Sequence, residues 1–201
     1  MYSKIRYIYR SLASLYSSMY AFYLKVIGVE VGRKLVIYGT PHILSRSRGS
    51  IRIGDKLTLN STQRSNPIGL NHCCIIRTLT PAARIKVGDN VGMSGSTLLA
   101  RDKIIIGDNV LLGANCTITD SEHHSLNVKD RISGKSDSIL TMPVSIGNNV
   151  WLGMNVIVLK GVSIGDNTII GAGSVVVKSL PSNVIAAGNP AKIIKELCET
   201  L

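Results

Sequence analysis

From Ile146 onward an aliphatic residue returns at every sixth position, and this period constrains the chain more than any other feature. The pairs are Ile146-Gly147, Leu152-Gly153, Val158-Leu159, Ile164-Gly165, Ile170-Gly171 and Val176-Val177. A helix repeats near 3.6 residues and a half-buried strand at 2, so a repeat of six predicts a solenoid of hexapeptides. Three hexapeptides make one triangular coil of about 18 residues. The aliphatic side chain points inward, the residue after it is small or turn-permitting, and Gly, Asn and Asp tolerate left-handed backbone at the corners. One coil cannot close a core alone. Stacking takes the aliphatic columns out of water, at roughly 25 cal/mol per Å² of apolar surface, and pairs the backbone groups of successive coils.

The repeat reaches back towards the N-terminus with interruptions. Ile51-Arg52-Ile53-Gly54-Asp55 announces a coil, Leu59 keeps the spacing, and Asn66-Pro67-Ile68-Gly69 breaks it. A second block runs through Val87-Gly88-Asp89-Asn90, Met93 and Leu99, slips by one residue, and resumes at Ile106-Gly107-Asp108-Asn109, Leu112 and Ile118. After Ile118 the period does not return until Ile146, 28 positions on. The intervening stretch is polar and carries two adjacent histidines, and long excursions from a rigid scaffold are where binding and catalytic groups concentrate. The expected organisation is an all-β solenoid over 29–201, with a catalytic loop at about 119–145 and an amphipathic helical extension over 1–28.

That extension carries Lys4, Arg6, Arg10 and Lys25, six tyrosines and no acid. Two readings are open for residues 1–27. One is peripheral contact with a membrane where lipid-linked sugars are assembled; the other is a helix that covers the unpaired end of the solenoid. Its serine-interrupted apolar run, Leu12 to Leu24, is short of the ~20 apolar residues of a spanning helix. It also lacks a small-residue cleavage site, so no signal peptide is expected.

The formal net charge of +11, from 23 basic and 12 acidic side chains, suits an anionic partner. Nucleic acid is not expected: the basic residues are spread along the chain, and Trp151 is the one aromatic of the period-six half. Cys73, Cys74, Cys116 and Cys198 show no CxxC spacing and no partnership with histidines, which reads as reduced thiols in a cytoplasmic protein without a metal site. Cys116 sits where a hexapeptide takes a small residue and is expected to pack in the core, not to carry an acyl group.

The stretch IGNNVWLGMNVIVLKGVSIGDNTIIGAGSVVVKSLPSNVIAAGNPAKIIKEL resembles the terminal coils of hexapeptide-repeat acyltransferases, the group containing galactoside, maltose and many polysaccharide O-acetyltransferases. The resemblance covers about residues 85–197; the first third resembles the sugar- and capsule-modifying members only loosely. It implies a left-handed parallel β-helix, a homotrimer, and acetyl-coenzyme A bound in the cleft between neighbouring subunits. The expected fold is completed by a short C-terminal helix.

In that family a loop histidine follows a stretch like ITDxDxH, which Ile118-Thr119-Asp120-Ser121-Glu122-His123-His124 resembles. Placing Asp120 at the first acid puts the catalytic base at His124 rather than His123, with Glu122 replacing the second aspartate. The resemblance assigns the oxyanion donor to the backbone N–H of Met154 and sets Trp151 and Gly153 beside the acyl donor. Pantetheine would pass Ala172, Val177 would keep a backbone donor, and Lys178, Lys192 and Lys195 match basic positions near the nucleotide. Ser94, Asn115, Asp120 and Arg131 are candidates for holding the acceptor; Asn115 also suits the turn of its coil, and Arg131 an anchor for the loop.

An alcohol leaves almost no alkoxide at pH 7, so acetyl transfer to a hydroxyl needs a base, and neutral imidazole with a pKa of ~6.5 fits. The expected activity is acetyl-coenzyme A-dependent O-acetylation of a saccharide, in surface polysaccharide synthesis. The alternatives are an N-acetyltransferase of an amino-sugar nucleotide or a xenobiotic acetyltransferase on the same scaffold, and, in a different class, a non-catalytic solenoid.

Overall fold

The computed structural model describes residues 2–197, with side chains described from residue 13. The chain winds as a left-handed parallel β-helix of six coils with three faces. The first sheet stacks Glu30–Val31, Ile51–Ile53, Arg84–Val87, Lys103–Ile106, Val144–Ile146 and Ser163–Ile164. The second stacks Val36–Gly39, Thr58–Ser61, Gly92–Ser94, Leu111–Ala114, Trp151–Leu152 and Ile169–Ile170, then Val184–Gly188. The third stacks His42–Leu44, Ile75–Thr78, Thr97–Ala100, Thr117–Thr119, Ile157–Val158 and Val175–Val176.

All three sheets feed aliphatic columns into a single buried core, and the first sheet adds a second column through Ile51, Ile85, Ile104 and Val144. Ile53, Val87, Ile106, Ile146 and Ile164 are in register on the first sheet. Leu59, Met93, Leu112, Leu152 and Ile170 align on the second. Ile76, Leu98, Ile118, Val158 and Val176 align on the third. The third-sheet residue of its coil is therefore Leu98 and not Leu99. Gly95, at φ 52°, turns that corner one residue early, so Met93 and Leu98 lie five apart where Leu112 and Ile118 lie six apart.

The IGDN motif works as a corner that repeats from coil to coil. Its Asp or Asn accepts the backbone N–H of the coil before: Asp55 from Arg33, Asp89 from Asp55, Asp108 from Asp89, Asn148 from Asp108 and Asp166 from Asn148, at 2.6–2.8 Å. The following Asn adopts the left-handed region, and its amide donates to the next, from Asn90 through Asn109, Asn149 and Asn167 to Asn183. Glycine is required at the second position by close approach. A Cβ on Gly107 would lie 2.7 Å from the Gly147 carbonyl carbon and oxygen.

The two ends are closed differently. At the N-terminal end, α1 (Tyr2–Val26) lies across the first coil. Leu24 is fully buried, Tyr20 donates to the Pro41 carbonyl at 2.7 Å, and Ser17 Oγ accepts the Ile37 N–H at 2.9 Å, satisfying a donor that no earlier coil can. At the other end the expected short helix is absent from the described residues, which stop at 197. Ala191–Glu196 is instead a strand that turns back antiparallel on Val184–Gly188. The last coil leaves an open sheet edge, and the β-branched pair Ile193-Ile194 suits a strand that covers it.

Gly107→Ala should lower stability by about 2 kcal/mol or more, because backbone must move. Gly92→Ala, whose Cβ would meet only the end of Leu111 at 3.2 Å, should cost far less. Thermal melts of the two variants test this.

Candidate functional site

The long excursion leaves the third sheet after Thr119 and enters the first sheet at Val144, so it projects from the corner between them. Its base is closed by an antiparallel bridge between Ser121 and Thr141, with Met142 N–H donating to Asp120 and Glu122 N–H to Leu140. A short helix, α2 (Val128–Ile132), is capped by Asn127, whose side chain accepts from Lys129 and Asp130. Arg101 reaches from the body to the Ser136 carbonyl at 2.8 Å, and Lys160 forms an ion pair with Glu122. The excursion is thus pinned at both ends and at its tip.

His123 stands at its mouth, at φ 61°, with its ring held from both sides. Nε2 lies 2.8 Å from Thr119 Oγ1 and Nδ1 lies 3.4 Å from Ser121 Oγ, both hydroxyls belonging to buried residues. A left-handed backbone at a histidine is a strained choice, kept where the surroundings over-determine it. His124 is exposed and makes no hydrogen bond among the described residues. The signal for His123 was the Thr-x-Ser-x-His spacing that supplies its two hydroxyls; Lys160, in the turn before Gly161, had no signal in the sequence.

The other predicted residues are distributed over two corners, the outside of the second sheet and the terminal strand. At the corner between the second and third sheets, Gly153 donates to Ile170 O and Asn155 to Ala114 O, while the Met154 N–H between them finds no backbone acceptor among the described residues. A Cβ on Gly153 would come within 2.6 Å of Ala172 N, so that glycine allows the next coil to close up. Ala172 is exposed one coil on, and Gly173 N–H donates to Met154 O. Trp151, 52% exposed, stands on the outside of the second sheet between Leu111 and Ile169. Val177 and Lys178 are exposed where the chain leaves the third sheet, at the corner that carries His123. Lys192 and Lys195 are exposed on the terminal antiparallel strand.

Three acceptor candidates have structural employment instead. Asp120 is fully buried, and its carboxylate accepts the N–H groups of Arg101, Asp102 and Lys103 at 2.7–2.8 Å, which leaves it nothing to offer a sugar. Asn115 sits at φ 62° and its Oδ1 accepts the Asn71 N–H at 2.9 Å, tying the 62–74 insertion to the corner. Arg131 donates to the Ser125 and Leu126 carbonyls and so anchors its own loop. Ser94 is buried at the second corner and accepts from the Asn60 amide at 3.0 Å. Cys116 is fully buried beside the Gly153 carbonyl, and burial pushes its thiol up to about 11. No group of three His, Cys, Asp or Glu side chains placed for a metal ion occurs among the described residues.

Comparison with known proteins matches these coils. The bacterial transferase hexapeptide model (six repeats) matches residues 143–178, and the hexapeptide repeat of succinyl-transferase matches residues 103–121. WbbJ of Escherichia coli strain K12, which bears the name of a lipopolysaccharide biosynthesis O-acetyl transferase, is 34% identical over 157 residues, 75% of this chain and 74% of its own. The chain belongs to the hexapeptide-repeat acetyltransferase family. Galactoside O-acetyltransferase of E. coli K12 is 40% identical over 119 residues, 57% of this chain and 55% of its own. The chain spans about half the length of the first curated relatives it matches. In fold it is similar to AntD, an N-acyltransferase from Bacillus cereus solved with dTDP and 3-hydroxybutyryl-CoA, at TM-score 0.67 and 20% identity over 87% of this chain and 86% of that one.

Two measurements follow for a hexapeptide-repeat protein with this loop. Asp120→Ala should lower stability by about 2–4 kcal/mol, because three backbone N–H groups lose their hydrogen bonds to a buried carboxylate; a melt that matches the parent would count against the structural role. Cys116, protonated well above pH 8, should resist iodoacetamide in the folded chain at that pH and react once it is unfolded, as mass mapping of the alkylated sites would show.

Proposed function

We propose that the chain is an acetyl-coenzyme A-dependent O-acetyltransferase acting on a saccharide in surface polysaccharide synthesis, with His123 as general base. The observation that carries this is the His123 ring, held by Thr119 and Ser121 at the mouth of the excursion. Family membership and the naming of relatives for O-acetyl transfer to galactosides and lipopolysaccharide support the substrate class. The Thr119 hydroxyl stands at 2.8 Å from Nε2, the distance an acceptor hydroxyl takes when it replaces it. His123 would then take the acceptor's proton as its oxygen attacks the thioester carbonyl, and return it to the departing thiolate. The base assignment moves from His124 to its neighbour because a base must be oriented as well as near.

The oxyanion donor proposed is the Met154 N–H, which the coil ladder leaves unused. His123 and Met154 flank opposite edges of the third sheet, separated by a strand and its turns, about 10 Å or more. One chain therefore does not bring them together, and we propose a homotrimer in which the base of one copy meets the Met154 corner of the next. Coenzyme A would lie along that seam. Trp151, Gly153, Ala172 and the Val177 backbone would flank the acyl and pantetheine arm, and Lys178, Lys192 and Lys195 would attract its phosphates. Ser94, at the Met154 corner, remains the acceptor-side candidate. The proposed location is cytoplasmic, peripheral to the inner face of the membrane.

His123→Ala should reduce turnover about 10²–10⁴-fold with the oligomer intact, whereas His124→Ala should cost little. The reverse ranking would return the role to His124, and a loss of only a few-fold in both would favour an amine acceptor, which needs less help from a base. Met154→Pro removes the N–H. Mixing inactive His123→Ala and Met154→Pro chains should restore activity at roughly a quarter of the sites if these are built between copies, and restore none if each copy is self-contained.

A further inference from the structure

α1 has two apolar faces, and the fold uses one. Ser17, Tyr20 and Leu24 turn toward the first coil. Leu15, Met19, Phe22 and Val26 follow the i, i+4, i+7, i+11 spacing of a second stripe, on the opposite side, and are 62, 65, 71 and 59% exposed. In sequence the same spacing runs back through Leu12 and Ile8. A capping helix needs a single apolar stripe, so a second one facing water calls for a partner.

The charge shows which partner. Residues 1–54 hold nine of the 23 basic side chains and one of the 12 acidic ones, so +8 of the net +11 belongs to the helix and the first coil and a half. The basic residues themselves are spread along the chain, but the scarcity of acids concentrates the net positive charge in this N-terminal part. At the C-terminal end of α1, Lys25, Arg48, Arg52 and Arg84 line a shallow cleft with Glu30. Arg52 pairs with Glu30 at 3.0 Å and Arg84 donates to the Pro81, Ala82 and Ala83 carbonyls. Lys25 and Arg48 are exposed and form no ion pair among the described residues.

We infer that the outer stripe of α1, with Lys25 and Arg48 at its end, docks the protein on an anionic phospholipid bilayer, the helix lying in the plane of the interface. Helices that lie in that plane bury one apolar face at the headgroup boundary and surround it with bases, which the negative leaflet attracts. A second copy of the chain fits less well, since two ends of +8 would face each other. Nucleic acid would use the charge and leave the apolar stripe in water. No helix among the described residues is long and apolar enough to cross a membrane, so the contact is peripheral. With coils about 4.8 Å apart, an upright solenoid would carry the His123 loop roughly 15 Å above the surface, within reach of groups that stand off the bilayer. The inference deepens the peripheral location proposed above and is independent of the transfer chemistry.

Co-sedimentation of the full chain with phosphatidylcholine vesicles, with and without phosphatidylglycerol, tests it. The protein should pellet only with the anionic vesicles, and less as salt rises. The double variant Met19→Glu/Phe22→Glu should bind at least about tenfold more weakly with unchanged turnover on a soluble acceptor. Lys25→Glu/Arg48→Glu should weaken binding and flatten its salt dependence. The inference is overturned if the parent stays in the supernatant, or if Met19→Glu/Phe22→Glu binds like the parent. It is equally overturned if that variant changes the particle mass in light scattering, which would assign the stripe to an interface between copies. Loss of transfer activity with vesicle binding retained would reject the enzymatic reading and leave the docking intact.

Discussion

Everything in this molecule hangs on the contact between one coil and the next. A coil contributes a few aliphatic side chains to the interior and hands nearly all its backbone donors to its neighbours, so its hydrophobic and hydrogen-bonding requirements are met only by stacking. The IGDN corner is the device that keeps the spacing uniform. Its glycine lets carbonyls of adjacent coils approach to a distance any Cβ would block, its Asp caps the backbone of the preceding coil, and its Asn carries the turn in left-handed geometry. Arg33, at the start of that ladder, holds the Asp55 carboxyl below the usual carboxylate range through its N–H and guanidinium.

A rigid prism of this kind tolerates excursions, since a corner can open without disturbing the columns on either side. The chain uses that freedom twice. The 62–74 insertion is tied down by Asn71 against Asn115, and the longer one after Thr119 is pinned by Asp120, Glu122 and Arg101. The anchoring groups include residues that look, as a list of polar side chains, like a sugar site. The Asp120 carboxylate and the Asn115 amide are spent on backbone N–H groups that hold the two insertions against the body. What stands at the mouth of the excursion is an imidazole oriented by two hydroxyls.

Legibility in the sequence followed the same division. The columns, the corners and the location of the excursion could be read because periodicity is a local, repeated signal. The hexapeptide frame points to Leu99 where the column holds Leu98, because a single early turn at Gly95 leaves no trace in composition. The terminal strand Ala191–Glu196 has no periodic signal, because the open edge that recruits it exists only after the coils have stacked. His123 and His124 are adjacent and chemically identical in sequence; what distinguishes them is which ring falls between the Thr119 and Ser121 hydroxyls.

The hexapeptide period by itself determined the scaffold, since a repeat of six aliphatic positions can be buried by no simple helix or strand, and it marked the interruption where chemistry concentrates. The tertiary structure alone decided which polar groups are already occupied, which histidine is held, that His123 and Met154 flank opposite edges of the third sheet, and that α1 turns one apolar face inward and the other to water. Those are facts about which atoms come near one another, across tens of residues for Asp120, Asn115 and α1 and around one left-handed turn for His123. Periodicity along the chain records burial; it does not record partners.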